Sequence, residues 1–230
     1  MQQLPLGVQL EVSSRFETFR AGANLAAIEE LCALGKGLAQ PPLWLAGPEA
    51  SGKTHLMQAA CVRLSERGTP ATYLPLRRPE AFAPGLLSGC ERLGAVFLDD
   101  LDAVAGDPAW EGALFTLHNE LQEHGGRLVA SSRQPPLALP WVLPDLRSRL
   151  AASSVHLLKP LPEAEQSEAL VARAAARGLE LPPETLAYLL RHAPRDFGRL
   201  CRLLDEMDAA SLASQRRLTV PLARQVLERA

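Results

Sequence analysis

The sequence predicts an α/β fold, a parallel five-stranded sheet flanked by helices, followed by a small all-helical domain. Three observations predict it. Short apolar runs alternate with stretches of helical periodicity up to about residue 160. A glycine-containing loop joins the first of these runs to a long helical pattern. After Lys159-Pro160-Leu161-Pro162 the texture changes: no convincing strand recurs, only helical patterns punctuated by Pro182-Pro183, Pro194 and Pro221. Strands separated by helices imply parallel pairing with helices on both faces. The expected division is an extended tail over 1–14, which contains Pro5 and Gly7, an α/β domain over 15–159 and a helical domain over 160–230.

The elements follow in order. From Asn24, which can serve as a cap, Leu25, Ile28, Leu31 and Cys32 recur at helical spacing. The apolar runs are Leu43–Ala46, Ala71–Leu74, Ala95–Leu98, Arg127–Ser131 and Val155–Leu158. Helical patterns occupy Lys53–Arg67, Pro108–His124 and Leu143–Leu150, while Pro79–Gly89 fits neither period. Trp110 and Phe115 share one helix and are expected in the core. Arg63, Glu66 and Arg67 are expected on a solvated helix face.

Composition narrows the function classes. The 230 residues suffice for a sizeable core, and 47% hydrophobic with 22% charged residues is ordinary for a globular chain. The 24 basic and 26 acidic side chains leave a formal charge of -2, against a dedicated nucleic-acid binder, although a local basic patch stays open. Cys32, Cys61, Cys90 and Cys201 form no C-x-x-C pair, so neither a zinc site nor a disulfide framework is expected. His55, His118, His124, His156 and His192 have no metal-ligand spacing. No apolar run approaches the roughly 20 residues of a membrane span, and the first ten residues lack the charged start and apolar block of a signal peptide. A cytoplasmic location is expected.

The chemistry concentrates in Gly47-Pro48-Glu49-Ala50-Ser51-Gly52-Lys53-Thr54, which satisfies G-x-x-x-x-G-K-[ST] at every fixed position, with a strand before it and a helix after it. The glycines let successive N–H groups curl around phosphates, and the helix start adds its positive dipole end. Lys53 would reach the β- and γ-phosphates of ADP or ATP, Thr54 would ligate magnesium, and His55 follows among the nucleotide contacts. Such a loop needs an acid on a nearby strand. Val96-Phe97-Leu98-Asp99-Asp100, about 45 residues on, supplies two: Asp99 for the magnesium shell and Asp100 for orienting the attacking water. Asp102 is expected to be a solvated or capping carboxylate.

With both motifs placed, the chain resembles the AAA+ ATPases of the DnaA clade, towards which the Asp-Asp ending points. Leu128–Pro136 resembles that clade's sensor-1 strand and loop, which makes Ser132, with Ser131 beside it, the candidate for touching a γ-phosphate or its water. Leu143–Leu150 resembles the box that carries an arginine finger, implying that role for Arg149, with Arg147 as fallback and a solvated surface arginine as the plain alternative. Arg195-Asp196-Phe197-Gly198-Arg199-Leu200 resembles the sensor-2 helix, implying that Arg195 contacts nucleotide phosphates. Within the clade the chain is most similar to the Hda-type regulatory inactivators of DnaA: it stops where the lid should end, Asp208–Pro221 resembles the end of that lid, and Gln3-Leu4-Pro5-Leu6 resembles their motif for the DNA polymerase sliding clamp. In that tail the Gln3 amide would offer hydrogen bonds, Leu4 and Leu6 would fill an apolar pocket, and Pro5 would limit the tail's freedom.

The resemblance implies a negative regulator of replication initiation that sits on the DNA-loaded clamp and offers Arg149 to ATP bound on DnaA. Contact with DNA would be indirect, through the clamp, and a homodimer stays open. Any hydrolysis of its own nucleotide is expected to be weak, because Asp100 is one methylene shorter than Glu. Two rivals remain: a self-assembling AAA+ ATPase that remodels DNA or loads a helicase, and a non-enzymatic tether between clamp and DnaA.

Overall fold

The computed structural model describes residues 15–35, 40–193, 197–214 and 218–228. Two compact units emerge, Ala21–Lys159 with Arg15 and Phe16, and the chain from Pro160 with Glu17–Arg20. In the first, strands β1 (Leu43–Ala46), β2 (Ala71–Pro75), β3 (Ala95–Asp99), β4 (Arg127–Ser132) and β5 (Ser154–Leu157) form one all-parallel sheet in the order β2-β3-β4-β1-β5. Helices α1 (Leu25–Cys32), α2 (Lys53–Glu66), α3 (Pro108–His124) and α4 (Pro144–Ala151) surround it.

Position in the sheet explains the composition of each strand. β1, β3 and β4 lie inside it and are buried at every residue, as expected for parallel strands covered on both faces. β5 is an edge and alternates: Val155 and Leu157 are exposed, whereas Ser154 and His156 are half-buried and bond Glu30. On one face Trp44, Val96, Leu98 and Leu128 meet Leu114, Leu117 and Leu121 of α3 and Leu146 and Leu150 of α4. Trp141 packs edge-on against Trp44, their ring centroids 6.4 Å apart. Cutting such a buried tryptophan to alanine costs about 3–5 kcal/mol. Leu45, Phe97 and Val129, one residue out of phase, are equally buried on the other face, where α2 packs.

Helix α3 begins as its sequence dictates. Asp107 accepts hydrogen bonds from the N–H groups of Ala109 (2.8 Å) and Trp110 (3.2 Å), Pro108 occupies the first helical position, and Gly125 closes the far end at φ 73°. Asn24, expected to cap α1, precedes that helix but caps nothing. Its amide instead clamps the end of the sheet domain, donating to the Lys159 carbonyl and accepting from the Lys159 N–H, both at 2.9 Å. The stretch that fitted neither period folds as short 3₁₀ turns at Pro79–Ala81 and Pro84–Leu87, because a proline at the head of each turn ends any longer element. A polar cluster joins α1 to the sheet: Glu30 receives Arg127, Ser154 (2.7 Å) and His156 (2.7 Å).

The second unit holds α5 (Glu163–Ala175), α6 (Pro183–His192), α7 (Phe197–Ser214) and α8 (Val220–Leu227). They bury a separate core built on Leu170, Leu189, Leu203, Leu204, Met207 and Ala223. Arg173 of α5 and Arg177, just beyond its end, both reach Asp205 of α7. Among the described residues no helix is long and apolar enough to cross a membrane, and no group of three His, Cys, Asp or Glu could hold a metal ion. The four cysteines are free thiols.

Candidate functional site

The site grows from the carboxyl ends of β1, β3 and β4, where open parallel sheets bind ligands. The loop leaving β1 is held to the sheet by the Gly47 N–H, which donates to the Ser132 carbonyl at 3.2 Å. It then turns through two left-handed residues, Ala50 at φ 59° and Gly52 at φ 92°, before α2 starts at Lys53. Gly47 must lack a side chain, because a Cβ there would meet the Leu158 carbonyl at 2.7 Å and the Ser51 hydroxyl at 2.9 Å. Pro48, Glu49 and Ala50 form the crown of the loop, and Glu49 is paired with Arg77 at 3.1 Å.

Lys53 is 7% exposed and folds back over its own loop, donating to the carbonyls of Gly47 (2.7 Å) and Pro48 (2.8 Å). Burial pulls its ammonium below the usual lysine range, and the nearby carboxylates of Asp100, Asp99, Asp102 and Glu49 oppose that shift. Ser51 is buried in the loop, and its hydroxyl has no partner among the described residues. His55 has its Nε2 2.9 Å from the Arg15 carbonyl.

Asp99 is the hub. Its Oδ2 accepts from Thr54 at 2.6 Å and from Tyr73 at 2.7 Å, and its Oδ1 accepts from Ser131. The strand order explains the arrangement: β4 lies between the strand carrying the loop and the strand carrying the acid, so a β4 side chain reaches Asp99 from one side and β2 supplies Tyr73 from the other. Burial, then the adjacent Asp99, push the Tyr73 phenol well above its ordinary range, keeping it a donor. The next residue, Asp100, adopts φ 57°, donates its N–H to the Ser131 hydroxyl at 3.0 Å and pairs with Arg77 at 3.3 Å. Burial, then repulsion by Asp99, raise the Asp100 carboxyl above its ordinary value, against the pull of Arg77 and Lys53. Asp102 pairs with Arg133 at 3.5 Å.

The two serines of β4 part company, because successive strand side chains point to opposite faces. Ser131 serves Asp99 and Asp100, whereas Ser132 is wholly buried, accepting from the Trp44 indole at 2.7 Å and donating to the Gln134 carbonyl. The expectation that Ser132 touches a γ-phosphate therefore has no support in this geometry, and Ser131 is the hydroxyl at the acids. Arg149 lies in the last turn of α4, exposed, with no carboxylate partner among the described residues. Arg147 on the same helix is also exposed. Gln3, Leu4, Pro5, Leu6 and Arg195 lie outside the described residues.

Tyr73 and Arg77 had no signal in the sequence: an aromatic residue inside an apolar run reads as core, and an arginine beyond it reads as surface. The donor set suits a nucleotide phosphate. A side-chain-free Gly47, a buried hydroxyl without a partner among the described residues, an ammonium resting on loop carbonyls and a helix start converge on one loop. The Thr54 and Asp99 pair suits magnesium, whose ligands are oxygens.

The fold is that of an AAA+ P-loop ATPase domain followed by a helical lid. It matches domain III of the Thermotoga maritima replication initiation protein DnaA with a TM-score of 0.76 at 20% identity, over 96% of this chain and 98% of that one. AMPPCP-bound DnaA from Aquifex aeolicus matches at 0.66 and 21% identity, over 86% of this chain and 66% of that one. The Thermotoga maritima RuvB Holliday junction branch migration motor matches at 0.64 and 18%, over 95% and 72%. Residues 163–227 match the family model described as Hda, lid domain. The chain thus shares the fold of DnaA domain III, and its residues 163–227 are similar to the Hda lid.

Proposed function

We propose that this chain regulates DNA replication initiation by acting on the nucleotide of DnaA. The observation that carries this reading is the Hda lid match at 163–227, joined to an exposed Arg149, without a carboxylate partner among the described residues, on a short helix anchored by buried Leu146 and Leu150. In this reading Gly47 to Thr54 hold the chain's own ADP or ATP, with Lys53 on its phosphates. Thr54 and Asp99 hold magnesium, which would screen phosphate charge when bound. Arg149 meets the ATP of a DnaA partner, and its planar guanidinium spreads over the oxygens that gain charge in phosphoryl transfer. Such a finger given in trans is worth ~10³ to 10⁵ in rate. The tail Gln3-Leu4-Pro5-Leu6 tethers the chain to the sliding clamp.

The test is single-turnover hydrolysis of ATP pre-bound to DnaA, with clamp-loaded DNA present. Arg149→Ala should lower stimulation at least ~10-fold while folding and clamp binding persist. Arg149→Lys should fail nearly as badly, since a point-like ammonium cannot reproduce a planar fork, and Arg147→Ala should be milder. Replacing Gln3, Leu4 and Leu6 by Ala should abolish clamp capture and leave nucleotide affinity near normal. Wild-type stimulation by Arg149→Ala removes the finger and leaves a tether. The intact Lys53 and Thr54–Asp99 arrangement favours a second reading, a self-assembling ATPase, which predicts ready ATP turnover by the chain alone.

A further inference from the structure

Glu111 of α3 is 0% exposed and pairs with no cation among the described residues. Its two oxygens are filled by backbone N–H groups instead. Oε1 accepts from Gly106 at 2.8 Å and Val142 at 3.1 Å, and Oε2 accepts from Val142 at 3.0 Å and Leu143 at 2.6 Å. A carboxylate withdrawn from water this far is held in place by those donors, and removing it would orphan them.

The donors are not scattered. Val142 and Leu143 are the two residues before α4, which has no side-chain cap of its own and begins with Pro144, a residue without an N–H. The start of α4 is therefore tied to α3 by one side chain. Leu146 and Leu150 set how deep α4 lies; Glu111 sets where it starts, and so the angle at which it runs. Arg149 stands six residues beyond Leu143, roughly 9 Å along the axis at 1.5 Å per residue. A tilt of about 6° at the start moves it by about 1 Å, and a misplacement of that size can cost ~10²-fold in rate.

We propose that Glu111 is the positioning residue of the arginine-finger helix, holding α4 at the angle that aims Arg149 into a partner's nucleotide site. This rests on the finger reading of Arg149. Glu111→Gln keeps the size and one acceptor oxygen but turns an NH₂ toward a backbone donor, and Glu111→Ala removes both acceptors. In Glu111→Gln, amide hydrogen exchange at Val142 and Leu143 should quicken at least ~10-fold, with the ADP-induced rise in melting temperature unchanged. Stimulated hydrolysis of DnaA-bound ATP should fall ~10-fold or more at saturation, with the half-saturating concentration unmoved, and Glu111→Ala should fall further. A merely structural role would lower the folded fraction and leave the rate per folded molecule alone. If Arg149→Ala abolishes stimulation while Glu111→Gln stimulates within about twofold of wild type, the positioning role is overturned and the finger stands. If Arg149→Ala stimulates normally, both are overturned.

Discussion

Adding one methyl group to two different glycines should move stability in opposite directions. At Gly47 a Cβ would stand 2.7 Å from the Leu158 carbonyl oxygen and 2.9 Å from the Ser51 hydroxyl, both well short of ordinary contact. The serine can rotate; the carbonyl belongs to the backbone just beyond β5, whose Leu158 N–H is bonded to Ala46 at 2.7 Å, so relief has to displace the loop. Forcing extra carbon into such a site costs about 1–3 kcal/mol. At Gly112, inside α3, a Cβ would meet nothing within 4 Å, and the backbone is helical. Alanine there should gain about 0.5–1 kcal/mol. At roughly 2–4 °C per kcal/mol for a domain of this size, Gly47→Ala should melt about 2–12 °C lower and Gly112→Ala about 1–4 °C higher. All three tryptophans, Trp44, Trp110 and Trp141, lie in the α/β unit, so their fluorescence follows its unfolding selectively. Repeating the melt with ADP and magnesium at about 100 times the dissociation constant should raise wild type by the equivalent of ~2.7 kcal/mol and raise Gly47→Ala far less. A Gly47→Ala protein that melts with wild type and responds to ADP as wild type does would refute the reasoning.

Lys53→Ala removes the ammonium that rests on the Gly47 and Pro48 carbonyls, and should abolish most of the ADP-induced rise in melting temperature; a full rise would remove Lys53 from the phosphate contacts. Glu30 is the acid whose pH dependence can be signed. Burial alone would push its carboxyl up, but hydrogen bonds from Ser154, His156 and Arg127, with the charge of Arg127, bring it below its ordinary 4.5. A depressed acid stabilises the fold fully above 4.5 and loses that contribution as pH falls through its lowered folded value. Glu30→Gln should therefore be less stable than wild type in urea at neutral pH, with the gap closing below pH 4.5; a gap that stays constant down to pH 3 would contradict the assignment.

The fold was legible because its signals are contiguous. Each interior strand is built on a short apolar run, and α3 carries its own start and stop in Asp107, Pro108 and Gly125. The phosphate loop is likewise a single string. What was hidden depends on residues distant in sequence. That Ser131 rather than Ser132 meets Asp99 turns on a one-residue phase that register decides, since β4 pairs Ala130 with Leu98 of β3 and Ser132 with Ala46 of β1. Tyr73 reaches the same acid only because β2 lies beside β3. Glu111 is a first-turn acid of α3, and only the folded chain shows that it serves the start of a different helix. Asn24 went the same way, its amide spent 135 residues away rather than on its own helix.

The left-handed turn at Asp100 bears on why this strand ends in two aspartates. At φ 57° a side chain crowds its own carbonyl, a conformation that non-glycine residues seldom adopt and that aspartate and asparagine tolerate best, through short polar groups that bond locally. Glutamate would extend a carboxylate farther towards an attacking water, yet it has no such local relief. Reach and backbone ease thus pull this position in opposite directions. The chain sits at the end of that compromise where the acid is comfortable, short and already engaged by Arg77; on the proposed reading that would favour keeping a bound nucleotide intact over spending it.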